Sequence, residues 1–371
     1  MEHYLDNAAT TRVCPEAAEA ALRAMTEIYG NPSSTHTKGR EARKLLDQSR
    51  RTVADALGAG SADEVVFTSC GSESDNWAIL SGAESMKRFG KHVISSEAEH
   101  DAVRRSLDVL ESRGFEVTRL KPDPTGRIAP EAVAEALRED TVLVTLMMVN
   151  NETGAVTDIH AVSELLKKRG SSALLHTDAV QAFRKVPFRA RTLGADLISV
   201  SGHKIHAPKG IGALYIRSGL KLKPFIVGGS QENERRAGTE ALPQIAAFAA
   251  ACGLDPRTDH IRAMKQLAVE KLTAAVPELR VLETGAPHVL SVSMPGWRSE
   301  VLMNFLESRE IYVSRSSACK QGKRSHVLEA IGMRPEMIDG ALRIGLSRFT
   351  TEEDITALAD GLSAARALAH R

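Results

Sequence analysis

Apolar residues fall in short runs separated by longer amphipathic stretches, and this alternation sets the first expectations. Compact apolar runs at residues 65–68, 92–94, 116–120, 142–149, 173–176, 197–200 and 212–216 predict strands. Between them, residues 72–89, 101–113, 130–138 and 159–169 repeat apolar positions at helical spacing and predict helices. Two helices come earlier, over 16–28 and 34–57, separated by the breaker Gly30-Asn31-Pro32-Ser33-Ser34. Strand–helix alternation of this kind implies right-handed crossovers and a mostly parallel sheet with helices on both faces. From about Thr239 the rhythm changes. Helices over 240–252 and 258–276 precede shorter strands, a helix over 300–308 and a last helix from Glu352. The expected fold class is therefore α/β with a smaller α+β domain. Residues 15–250 would form the large domain, and residues 1–14 and 251–371 the small one. Residues 4–12 are short, polar and extended, more suited to lining a site than to filling a core.

Composition narrows the function classes. Hydrophobic residues make up 43% of the 371 and charged residues 26%, a globular profile. A net charge of +1 gives no general attraction to nucleic acid or an acidic membrane. The four cysteines (Cys14, Cys70, Cys252 and Cys319) lie far apart with no C-x-x-C pair, which argues against a structural zinc site or a disulfide framework. A reducing, cytoplasmic setting fits this usage. No apolar stretch reaches membrane-span length.

The chemistry gathers where the predicted strands end, the edge on which open α/β sheets place ligands. After 65–68, Cys70-Gly71-Ser72 opens a helix. Free amides and the helix dipole there favour a phosphate, although Ser72 read alone is equally an N-cap. After 92–94 comes Glu99-His100, where His100 can lie over a planar ring or simply cap a helix. The run 142–149 leads into Asn150-Asn151-Glu152-Thr153-Gly154, a recognition segment or an Asn-rich turn. After 173–176 comes Asp178, followed by Gln181. An acid leaving a buried strand needs a partner, and a protonated ring nitrogen is a suitable one. After 197–200 comes Ser201-Gly202-His203-Lys204, whose lysine can form a Schiff base with an aldehyde cofactor. Five such exits on one edge describe a site for pyridoxal phosphate. Neither a P-loop nor a dinucleotide fingerprint is present.

These motifs, with Arg236-Ala237-Gly238-Thr239-Glu240 and Ser317-Ala318-Cys319, resemble those of the cysteine desulfurases of the NifS/IscS type. That family belongs to the fold-type I pyridoxal phosphate enzymes of aminotransferase class V. The resemblance runs from Tyr4 through Thr350. It implies that Lys204 carries the cofactor, Asp178 faces the pyridinium nitrogen and His100 stacks on the ring. It also implies that Gly71, Ser72, Ser201 and His203 hold the phosphate, with Asn151 and Gln181 beside the phenolic oxygen. Thr239 would reach the phosphate of a neighbouring subunit, which implies a homodimer with shared sites. Arg343, with Asn31, would bind the substrate, since a guanidinium fork suits a carboxylate. Cys319 would be the nucleophile that takes sulfur from L-cysteine as a persulfide and leaves L-alanine, and basic neighbours favour its thiolate. Cys14 and Cys252 read as structural, and Cys70 has no assigned role.

Alternatives on the same fold are a selenocysteine lyase or an aminotransferase, the latter needing no loop thiol. A non-catalytic sulfur-relay protein is the alternative outside enzymes. The segment Lys320-Gln321-Gly322-Lys323-Arg324 is a couple of residues shorter than in long-loop members of the family. That leaves the sulfur acceptor open: an iron–sulfur scaffold, a tRNA-thiolation enzyme, or DNA or cofactor sulfuration, all of which draw on this family.

Overall fold

The computed structural model describes residues 2–316 and 324–369. Its strands are β1 (His3–Tyr4), β2 (Val65–Thr68), β3 (His92–Ser96), β4 (Glu116–Leu120), β5 (Thr141–Thr145), β6 (Leu174–Asp178), β7 (Leu197–Ser201), β8 (Gly212–Ile216), β9 (Arg280–Leu282), β10 (Val289–Ser293), β11 (Ile311–Tyr312), β12 (Ser314–Arg315) and β13 (Ala341–Gly345).

Strands β2 to β8 form one sheet in the order β2-β8-β7-β6-β5-β3-β4. Only β8 runs against its neighbours, pairing antiparallel with β2 and β7. The carboxyl ends of β2, β3, β5, β6 and β7 therefore share one edge, as the alternation predicts. Helices Gly71–Met86, Asp101–Ser112 and Ile159–Lys168 are the crossovers. Both faces of β5, β6 and β7 are buried along their whole length, which accounts for their continuous apolar runs.

A second, four-stranded antiparallel sheet has the order β12-β13-β10-β9. Its core joins Leu290, Val292 and Ile344 to helices Thr258–Ala275, Ser299–Glu307 and Glu352–Ala369. Leu5 belongs to this second core, and β1 pairs in parallel with β11. The N-terminal strand is thus tied to the C-terminal third. Cys14 and Cys252 are buried in the larger core. Among the described residues, no helix is long and apolar enough to cross a membrane.

Two details differ from the sequence expectation. The run 142–149 is not one strand, because β5 ends at Thr145. Beyond it the Met147 amide bonds to the Glu99 carboxylate, 3.1 Å from each oxygen, where a strand neighbour would sit. The helix after β2 starts at Gly71 with Cys70 in the capping position, so Ser72 lies inside the first turn and is not the cap.

Candidate active site

The helix that follows β2 places its first turn directly against β7. A Cβ on Gly71 would lie 2.7 Å from Val180 Cγ2 and 3.4 Å from Ser201 Cβ, so only glycine lets the helix approach this closely. The Ser72 hydroxyl is exposed beside the free amides of that turn. Ser201, the last residue of β7, has a buried hydroxyl with no partner among the described residues. His203 follows, its Nδ1 3.1 Å from Thr10 Oγ1. Burial first, then Lys204 and Lys209, push its imidazole down to about 4, so it is a neutral hydrogen-bonding group.

Lys204 ends the short 3-10 turn Gly202–Lys204. Its Nζ donates to the carbonyls of Ala8 and Ala9, each at 2.7 Å. Gln181 Nε2 donates to the same Ala8 carbonyl at 2.9 Å. The segment after β1 is therefore the wall of the site, and Thr11 fastens it to the His203 carbonyl through both its amide and its hydroxyl. Burial, reinforced by Arg343, lowers the Lys204 amine from its ordinary 10.5 to about 8. A lysine so placed has an appreciable neutral fraction at physiological pH.

Asp178 is the last residue of β6, opposite Ser199 of β7, and is 4% exposed. One carboxylate oxygen accepts the Val180 amide at 2.9 Å. Burial pushes this acid up, while His100, the Val180 amide and Lys204 pull it down. His100 caps the helix Asp101–Ser112, its Nδ1 accepting the Ala102 amide at 3.1 Å. Of the two readings of His100, the structure shows the helix cap. The cap bond assigns Nδ1 as acceptor and fixes the orientation of the imidazole.

In the turn after β5, Asn150 and Asn151 divide the work. Asn150 builds the turn: its Oδ1 accepts the Glu152 and Thr153 amides at 2.9 Å and its Nδ2 reaches the Ala98 carbonyl. Asn151 contributes its carbonyl to Arg343 Nη1 at 3.1 Å. Arg343, from β13, also donates Nη2 to Asp6 Oδ1 at 3.1 Å, and its buried Nε has no partner. Gln181 Oε1 accepts from His288 at 3.0 Å, which leaves one amide hydrogen of Gln181 over.

The structure thus gathers Gly71, Ser72, His100, Asn151, Asp178, Gln181, Ser201, His203, Lys204 and Arg343 around one sheet edge. Thr239 and Asn31 are both exposed, and neither bonds to this group within the chain. Asn31 instead accepts the Ser33 amide at 2.9 Å in its own turn. Cys319, with Ser317, Ala318, Lys320 and Lys323, lies outside the described residues.

Sequence reasoning passed over a buried layer beneath Asp178. Asp75, 1% exposed, reaches up from the helix after β2 and bonds to Ser199. His176 lies between Thr145 Oγ1 (2.8 Å) and Ser199 Oγ (3.0 Å), with Asp75 Oδ1 3.6 Å from its Nε2. Burial raises Asp75 well above the usual carboxylate range, and the nearby Asp178 adds to this. The sequence held a signal. Asp75 stands on the small-residue stripe Gly71, Asp75, Ala78, Gly82, the face a helix turns to a sheet.

The donor set fits pyridoxal phosphate. An unpartnered buried hydroxyl and a helix start suit its phosphate, a buried acid its ring nitrogen, and a desolvated amine its aldehyde. Comparison with known proteins agrees. Residues 3–358 match the model of the aminotransferase class-V family. A protein of Methanosarcina thermophila named cysteine desulfurase IscS is 40% identical over 364 residues, covering 95% of this chain and 89% of its own length. A solved structure described as a NifS-like protein superposes with a TM-score of 0.93 at 35% identity, over 99% of this chain and 100% of that one. Another, described as SspA in complex with cysteine, gives 0.84 at 32% identity, over 95% and 100%.

Proposed function

Because the chain belongs to the class-V aminotransferase family, among relatives named cysteine desulfurase, we infer that it is a pyridoxal phosphate-dependent cysteine desulfurase. It takes L-cysteine, releases L-alanine and leaves the sulfur on Cys319 as a persulfide for delivery to an acceptor protein. The observation that carries this reading is the pairing of Lys204 and Asp178. A buried amine and a buried acid stand at the ends of adjacent strands, walled by Asp6 to Thr11.

When bound, the cofactor supplies an electron sink for the carbanion formed at the cysteine Cα. The chain's own residues do the rest. Arg343 receives the substrate carboxylate on the donors it does not spend on Asp6 and Asn151. Lys204, lowered to about 8, alternates between amine and ammonium and moves the Cα proton. Asp178 would face the cofactor's ring nitrogen and favour its protonated form, while Ser72, Ser201 and His203 would hold the phosphate. His100 would lie against the ring, and Asn151 and Gln181 would bond beside the phenolic oxygen. The Cys319 thiolate attacks the substrate sulfur; the carbon–sulfur bond breaks, the new sulfur–sulfur bond forms, and the carbon is protonated to give alanine.

Thr239 completes the phosphate site of a second copy, and Asn31 assists at the substrate. Their exposure and the apolar Phe225-Ile226-Val227 segment nearby, with Val227 81% exposed, support a homodimer. Residues 15–250 act as the cofactor domain, and residues 1–14 with 251–371 carry the nucleophile. The cell compartment is the cytoplasm, and the acceptor is an iron–sulfur scaffold or a tRNA-thiolation enzyme.

The test is alanine formation from L-cysteine by cofactor-loaded protein, compared with Cys319→Ser and Lys204→Ala. Both variants should lose turnover, and only Lys204→Ala should lose the cofactor's characteristic visible absorption. Full alanine-forming turnover by Cys319→Ser would refute the assignment of the nucleophile.

A further inference from the structure

Next to Lys204, but away from the groups that face the cofactor, lies a cavity of about 30 Å³. Its walls come from both cores, and neither Asp178, His100, Ser72 nor Arg343 contributes to them. That volume holds one or two species of water size.

The lining charges have one sign. Arg184, Lys185, Lys204 and Arg348 contribute to it, and no aspartate or glutamate does. Two of these groups are unsatisfied. Lys185 is 8% exposed, and its buried Nζ has no hydrogen-bond partner. The Nε of Arg348 is likewise buried and unpartnered. The other cations are already engaged: Lys204 by the Ala8 and Ala9 carbonyls, and Arg184 by the Leu254 carbonyl. His206, also in the lining, has its Nδ1 2.9 Å from the Arg12 carbonyl and is held neutral, burial lowering it to about 4.

A buried, unpaired lysine has two exits from the cost of desolvation: it gives up its proton, or it finds an anion. Burial, followed by repulsion from Lys204, drives Lys185 down, and no acid opposes this. Arg348 does not have the first exit, because a guanidinium keeps its proton in proteins. Lys185 and Arg348 line the same cavity, so an anion lodged there would offer an acceptor to both, and among the described residues Arg348 Nε has none.

We propose that this cavity binds a small monovalent inorganic anion of chloride size, held by Lys185 and Arg348. The bound anion neutralises a cationic pocket at the junction of the two cores. Because Lys204 also lines the cavity, the anion favours the protonated form of the lysine the cofactor would use. The proposal stands on the cavity and its lining and is independent of the reaction assigned above.

The experiment uses the full chain without added cofactor. Thermal melting is followed while chloride replaces gluconate at constant ionic strength, a bulky anion that does not fit the cavity. The wild type should show a melting temperature that rises and saturates with chloride. Lys185→Met, which fills the same space without a charge, should lose that dependence and be at least as stable as wild type in gluconate. An equal chloride response in both proteins would overturn the proposal. Crystals of the wild type soaked in bromide give an independent reading that does not depend on how the variant folds. Anomalous density within hydrogen-bonding reach of Lys185 Nζ and Arg348 Nε supports the site. Density accounted for by water alone overturns it.

Discussion

Arg343 offers the sharpest link between geometry and rate. Its side chain is nearly buried, fixed at one end by Asp6 Oδ1 and at the other by the Asn151 carbonyl, both at 3.1 Å. A guanidinium has five N–H donors. Two are spent here, so enough remain for a bidentate grip on a carboxylate. Each hydrogen bond to a charged partner contributes about 1.5–3 kcal/mol. Losing two in Arg343→Ala should therefore cost about 3–6 kcal/mol of binding, or about 10²- to 10⁴-fold in kcat/KM. Arg343→Lys keeps the charge and at best one directed bond, so its loss should be about 10- to 100-fold. The assay is the initial rate of alanine formation across L-cysteine concentrations, with cofactor occupancy checked by absorbance in every sample. The rise in KM should exceed the fall in kcat. If Arg343→Ala binds cofactor normally and its KM for cysteine moves less than about threefold, the carboxylate does not sit on Arg343 and the substrate pose is wrong.

Further outcomes follow from the same geometry. Glu232 makes a buried bidentate pair with Arg50 (2.6 and 2.8 Å) and accepts the Phe67 amide of β2 at 3.0 Å. Glu232→Ala strands the Arg50 charge and should lower unfolding free energy by about 3–5 kcal/mol in urea, loosening cofactor retention because the same segment leads to Thr239. Stability within 0.5 kcal/mol of wild type, on the order of an unremarkable surface change, would contradict this. Glu152 is raised to about 7 by burial, against an ordinary 4.5, and accepts the Ser325 hydroxyl at 2.5 Å. Its folded form holds the proton more tightly, so its contribution is full below pH 4.5 and is lost as pH rises through 7. Glu152→Gln should therefore gain about 2.5 kcal/mol relative to wild type between pH 5 and pH 8, read from urea midpoints. An unchanged difference would show that Glu152 does not titrate there. Asp75→Asn should leave cofactor affinity within about threefold, since burial disfavours a charge on Asp75 and the amide keeps its shape, whereas Asp178→Asn should weaken it by at least tenfold, about 1.4 kcal/mol. Equal losses would mean that both acids are charged.

The sheet was legible because burial on both faces forces continuous apolar runs and the crossovers impose helical spacing. The site was legible for the same reason: a polar residue at the end of a buried strand has few structural explanations, and Asp178 and Lys204 stand at such ends. What escaped sequence reading depends on contacts between distant segments. That the wall of the site is the carbonyl row of Ala8 and Ala9 cannot be read from Asp6-Asn7-Ala8-Ala9, because backbone acceptors look alike in any sequence. The termination of β5 at Thr145 depends on Glu99 crossing to the Met147 amide, a side chain replacing a strand. Asp75 and His176 were hidden because their contacts lie across elements: His176 is held by Thr145 and Ser199, and Asp75 lies 3.6 Å from it. The cavity beside Lys185 could not be seen at all, since a lysine next to Arg184 reads as surface until the packing closes over it.

The central claim is that sulfur leaves L-cysteine for Cys319 on a scaffold activated at Lys204. It is tested most directly by a single turnover, with cofactor-loaded protein mixed with equimolar L-cysteine in the absence of thiol, then digested and weighed. The account predicts the mass of one extra sulfur atom on the peptide carrying Cys319, removed by reductant, with alanine formed in equal amount. Alanine with the added sulfur on Cys70, or with no protein-bound sulfur at all, would contradict it.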